Sequence, residues 1–109
     1  MQAETSKYVW DATEAARRIL RFTQGKSLDD YVADELLRAA VERQFTILGE
    51  ALSHVRRVEP AVAERIADLP RAVALRNILV HGYADVDDRI VWGVVIGPLP
   101  AMLAALEGL

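Results

Sequence analysis

Between Leu28 and Val58 apolar residues return at steps of three and four along two neighbouring stripes. Leu37, Val41, Leu48, Leu52 and Val55 form one, and Leu36, Ala40, Ile47 and Ala51 the other. Successive residues of an α-helix sit ~100° apart, so this spacing predicts helix up to about Val58, with an offset near Ala33 and Asp34. Two apolar faces need two contacts. One is expected to meet the core of its own subunit and the other to remain for a second chain.

The flanking segments share this period. Tyr8, Ala12, Ala15, Ile19 and Phe22 predict a first helix from about Thr5 to Thr23, with Glu14 placed to pair with Arg18. Ser27 followed three positions later by Asp30 resembles a capping box, which predicts a helix start near Leu28. "EPAVAERIADLP" reads as a short helical turn from Pro60. Pro70 suits the first turn of the next helix, which should end at Gly82 in the left-handed conformation. A last helix begins in "DVDD", is bent or broken at "GPLP" and resumes to Glu107. The expected architecture is an all-α, up-down bundle of four to five helices in a single domain over residues 1–109.

Composition narrows the function classes. The chain has no cysteine and two histidines, which predicts neither disulfide nor thiolate metal site and no metal or organic cofactor. At 109 residues with 52% apolar content it has more apolar surface than a small lone domain hides easily, which points to a homodimer. The opening "MQAETSKYVW" lacks the basic and apolar regions of a secretion signal, so a cytoplasmic location is expected. The uncharged run from Ile90 to Leu106 is too short and too interrupted by Gly and Pro for a membrane span, and is expected to be buried or subunit-facing. Net charge is −3, and the one basic excess lies in residues 53–83, with Arg56, Arg57, Arg65, Arg71 and Arg76. Any RNA contact should therefore be small, or built across two subunits.

Chemistry concentrates in "LRNILVHGYADVDD". On a helix from Pro70, Ala72, Leu75, Ile78, Leu79 and Gly82 form an apolar face predicted to be core. Val73, Asn77, Val80 and His81 lie opposite, with Arg76 at the border. Two outward valines beside polar groups predict that a twofold copy of the same helix covers this side. Arg76 and His81 are about 140° apart on the helix and diverge within one chain, but two copies of each can converge across a twofold axis. Asn77 is one turn from His81 and is expected to orient its ring, while the helix C-terminus favours the imidazolium. Such a set suits metal-free RNA cleavage: histidine moves the 2′-hydroxyl or leaving-group proton and arginine stabilises charge on phosphorus. A purely structural network remains open, in which Arg76 pairs with an acid, Asn77 and His81 hydrogen-bond at the helix end and Tyr83 packs beneath the turn. His54 reads as a surface histidine, and Trp10 and Trp92 as core or interface anchors.

"RNILVHGY" resembles the motif of the HEPN superfamily, and within it the HepT-like toxins: Arg76, Asn77, His81 and Tyr83 match throughout. The resemblance extends to "VERQFTILGEALSHV" and "DDRIVWGVVIGPLPAML". It implies a homodimeric helical endoribonuclease with Arg76 and His81 catalytic, Asn77 supporting and Tyr83 at the dimer cleft. It further implies a toxin–antitoxin pair, in which a minimal nucleotidyltransferase antitoxin of the MntA kind adds AMP to Tyr83. Phosphate there would bring negative charge into an arginine-lined cleft and occupy the place of an RNA phosphate. The alternative is a non-enzymatic partner or substrate-binding module of such a nucleotidyltransferase, which the acidic net charge favours.

Overall fold

In the computed structural model residues 1–82 and 86–109 are described, and they form seven helices and no strand. These are α1 (Ala3–Thr23), α2 (Leu28–Ala33), α3 (Glu35–Val58), α4 (Pro60–Ala63), α5 (Leu69–Val80), α6 (Asp88–Ile96) and α7 (Leu99–Glu107). The all-α expectation holds. The count exceeds four to five because both anticipated offsets are full breaks and the Pro60 turn is a helix of its own. Ser27 and Asp30 form a reciprocal capping box at α2. Asp34 then closes α2 and caps α3, its carboxylate accepting from the Leu37 amide at 3.0 Å. Asp87 caps α6, and α6 and α7 meet at a 47° bend at Gly97 and Pro98.

α3 is the central element, flanked by α1 and α5, while α6 and α7 close over α1 and α2. α1 runs antiparallel to α3, since the Gln2 amide near its start donates to Glu59 Oε1 just beyond the end of α3, at 2.9 Å. The first stripe of α3 is buried throughout. The second divides: Ala51 is buried, Ala40 and Ile47 are half-buried beside α1, and only Leu36 stands in solvent, at 80% exposure. Along the uncharged C-terminal run Val91, Trp92, Val94, Val95, Leu99, Met102 and Leu106 are core, and Trp92 lies against the wholly buried Tyr31. Among the described residues no single helix is long and apolar enough to cross a membrane.

Three expectations are corrected. Val73 is buried, not outward, whereas Ile78, assigned to the core face, is 37% exposed. The reason is the crossing of α5 over α3, which seats Ala72 and Arg76 against Gly49 and turns the buried face of α5 toward Leu69 and Val73. Glu14 pairs with Arg17 at 3.5 Å rather than with Arg18, because Arg17 also reaches Glu107 on α7 and lies on that side of α1. Of the two readings of Trp10 as a core or an interface anchor, its 62% exposure removes the core one.

The Gln2 amide holds the Glu59 carboxyl below its ordinary value of 4.5. Because the folded value is the lower one, this contact stabilises the fold above the ordinary carboxylate range and is lost as pH falls through the depressed value. Glu59→Gln should therefore flatten part of the decline of Tm below about pH 4.5. For so exposed a contact the change should stay within about 2 °C, read by thermal melts across pH 3 to 7.

Candidate functional site

The site begins where two helices touch. An added Cβ on Gly49 would lie 2.2 Å from Cβ of Arg76 and 2.9 Å from the Ala72 carbonyl oxygen, so only glycine admits α5 this close to α3. Arg76 leaves α5 at that crossing and extends along α3 to the next residue, Glu50, where Nη2 donates to Oε2 at 2.5 Å. Nη1 donates to Asn77 Oδ1 at 3.0 Å. The Arg76 Nε is buried and finds no acceptor among the described residues. The guanidinium is thus fixed on two edges by a carboxylate and an amide, with 26% of the side chain still open to solvent.

Glu50 faces two ways. Its second oxygen, Oε1, is 3.5 Å from Nε2 of His54 one turn along α3. On the ring's other side a guanidinium nitrogen of Arg57 meets Nδ1. His54 is thus held between a carboxylate and a guanidinium. It also stacks on Tyr8 of α1, with ring centres 4.5 Å apart and planes 10° apart. His54 is therefore not the plain surface histidine its sequence neighbourhood predicts. The antiparallel pairing of α1 with α3 brings Tyr8 over it. Tyr8, His54 and Glu50 line a cleft of about 300 Å³ between the two helices.

His81 lies at the other end of the motif, immediately after α5. Its amide donates to the Asn77 carbonyl at 3.1 Å, and its residue is exposed. Gly82 follows at φ +68°, the left-handed stop expected there. The Asn77 side chain serves Arg76, its oxygen accepting from the guanidinium, and among the described residues makes no hydrogen bond to the His81 ring it was expected to orient. Within one chain the structure brings Arg76 and Asn77 together and leaves His81 apart from them, with no side-chain hydrogen bond or ion pair between Arg76 and His81 among the described residues. Tyr83 lies outside the described residues.

Near the C-terminal end of α5, Val80 and Ile78 are 44% and 37% exposed, about 200° apart around the helix. Among the described residues no three His, Asp or Glu side chains gather as a metal-ligating group. Glu50 is the partner of Arg76 that reading the motif alone misses. Its signal lay in the Gly-Glu-Ala of "VERQFTILGEALSHV", a small residue for a close helix crossing followed by an acid for the crossing arginine.

The site can hold a phosphate oxygen at the exposed edge of the Arg76 guanidinium and exchange a proton at the exposed His81 ring, two operations that phosphodiester cleavage requires. Comparison with known proteins agrees. The family model described as "Ribonuclease HepT-like" matches residues 12–109. "Putative RNase MJ1380" of Methanocaldococcus jannaschii is 26% identical over 95% of this chain and 94% of its own. "Probable ribonuclease HepT" of Thermococcus cleftensis is 28% identical over 100% of this chain and 98% of its own. "Putative RNase TTE0752" of Caldanaerobacter subterraneus is 28% identical over 77% of this chain and 74% of its own. No solved structure matches the sequence. On a match that covers nearly the whole chain, including every residue of the Arg76–His81 motif, the protein belongs to the HepT-like ribonuclease family.

Proposed function

We propose that this chain is the toxin of a toxin–antitoxin pair, a metal-independent endoribonuclease whose site is completed by a second copy of itself. The observation that carries this reading is the division of labour along α5. Arg76 is clamped by Glu50 and Asn77, while His81 stands exposed at the helix end beside the exposed Val80. Two copies of α5 meeting at its C-terminal end, where Ile78 and Val80 are exposed, bury apolar surface and bring two imidazoles toward one phosphate. One His81 takes the proton of the 2′-hydroxyl as that oxygen attacks phosphorus. The other protonates the departing 5′-oxygen as the P–O bond breaks, leaving a 2′,3′-cyclic phosphate and a 5′-hydroxyl. Arg76 stabilises the charge on the phosphoryl oxygens. Incubation of purified protein with a short labelled RNA tests this, since products with other ends, or no cleavage, would reject it.

The partner in this reading is a minimal nucleotidyltransferase antitoxin that adds AMP to Tyr83, in a cytoplasmic setting. Two positions beyond His81, an added phosphate would compete with RNA for Arg76. Co-expression with such an enzyme should increase the mass of the chain by one or more AMP units and reduce RNA cleavage more than tenfold, an order of magnitude consistent with a phosphate occupying a charge-assisted site. Tyr83→Phe should abolish both effects. The net charge of −3 favours a second reading, a non-enzymatic substrate-binding module of the nucleotidyltransferase. AMP on Tyr83 with no cleavage by the unmodified chain would support it.

A further inference from the structure

The cleft between α1 and α3 is not used by the chemistry above, yet a single carboxylate separates it from Arg76. We infer that it is a nucleobase subsite, built to take a guanine of the RNA whose phosphate lies on Arg76. The inference rests on the ribonuclease reading for the identity of the ligand, and on four features of the cleft for its chemistry.

The first is an aromatic wall. The Tyr8 and His54 rings are already stacked and both line the cleft, and such a platform accepts a further planar ring by the same interaction. His54 lies between Glu50 and Arg57, which hold its ring in orientation as part of the wall. The second is size, about 300 Å³, at the small end of ligand-binding cavities and suited to one base rather than a folded segment.

The third feature is Asp11. It lines the cleft half-buried, with no hydrogen-bond or ion-pair partner among the described residues. A carboxylate accepts and cannot donate, so it selects a base edge that presents donors. Guanine alone among the four bases offers two adjacent donors there, N1–H and the N2 amino group, which one carboxylate receives together. Adenine and cytosine each pair a single amino group with an acceptor that would face the carboxylate, and uracil presents one N–H between two carbonyls. The fourth feature is Arg43, also on the cleft, a cation of the type that donates to guanine O6 and N7.

Glu50 joins this subsite to the chemistry. One oxygen holds the arginine expected to carry the phosphate and the other faces the histidine that walls the base, so seating the base and aligning the phosphate share one anchor. A preference for a base next to the cut follows from that connection.

The test separates binding from cleavage. Oligouridylates carrying one central G, inosine, A or C are titrated by fluorescence anisotropy against the full-length chain with His81→Ala, which spares the RNA, and the same RNAs are cut by the wild type. The G-containing RNA should bind about tenfold tighter than those with A or C. Inosine, which keeps N1–H and lacks the amino group, should fall between. Tyr8→Ala should weaken binding of the G-containing RNA on the order of tenfold. Asp11→Asn, whose amide accepts and donates side by side, should move the preference from G toward A and C, a change that partial unfolding cannot produce. Equal binding of all four RNAs, or a preference unaltered in Asp11→Asn, overturns the inference even if RNA is cut. Tight G binding without any cleavage by the wild type preserves it and rejects the ribonuclease reading instead.

Discussion

Arg76→Ala and His81→Ala should each reduce RNA cleavage about a thousandfold or more while the chain stays folded and its association state unchanged. Loss of a positioned proton-transfer group removes about 10²–10⁴ in rate, and loss of a donor to developing phosphoryl charge removes a comparable factor. His81 is exposed and its side chain makes no hydrogen bond or ion pair among the described residues, so its truncation has little to destabilise. Arg76 is more embedded, but Glu50, which it would leave behind, has 51% of its side chain exposed and can be solvated. The checks are single-turnover cleavage of a labelled RNA, circular dichroism, and sedimentation at matched concentrations. Two further substitutions sharpen the assignment. Arg76→Lys keeps the charge but supplies one donor group where the guanidinium spans both Glu50 and Asn77, so it should recover less than about a tenth of the rate. Glu50→Gln keeps the shape but removes the charge that holds the guanidinium. It should lower turnover less than Arg76→Ala does, since Glu50 acts through the arginine and not on the phosphate. Variants of Arg76 and His81 that cut within a few-fold of the parent would remove both from the mechanism.

Gly49→Ala should be the most damaging single-methyl addition in the chain. The new Cβ would overlap Cβ of Arg76 at 2.2 Å and crowd the Ala72 carbonyl at 2.9 Å. Neither obstacle is the end of a flexible side chain that could swing away, so α5 itself must move. Overpacking at a rigid contact typically costs about 1–3 kcal/mol, occasionally more, and a backbone-to-backbone clash belongs at the upper end. The midpoint of thermal unfolding should then fall by about 10 °C or more. The functional loss should exceed what instability explains. A shift of α5 away from α3 separates the Arg76 guanidinium from Glu50, so cleavage measured well below the melting temperature should already be reduced at least about tenfold. Gly25 is a useful contrast, because no atom lies within 4 Å of a Cβ built there and its only demand is a backbone φ of +73°. Gly25→Ala should cost about 1 kcal/mol through backbone strain alone, with cleavage unaffected. If Gly49→Ala melted and cut like the parent, the close crossing would not be what positions the arginine.

Much of the fold was legible locally because helices announce themselves through short-range signals. The capping box at Ser27 and Asp30, the end of α3 at Val58, the left-handed Gly82 and the break at Gly97–Pro98 each depend on residues within four positions of one another. The motif residues were legible for the same reason, since Arg76, Asn77 and His81 belong to one helix and its cap. Their partners were not. Which face of α5 is buried was misjudged at Val73 and Ile78, because a near-uniformly apolar helix carries little information about its own rotation, and the glycine on α3 supplies it. Glu50 reaches Arg76 across 26 positions, and Tyr8 meets His54 across 46. No periodicity in the chain encodes those distances. They are consequences of α1 and α5 both packing on α3, where burial of the apolar stripes chooses the docking and the polar residues beside them are carried into contact.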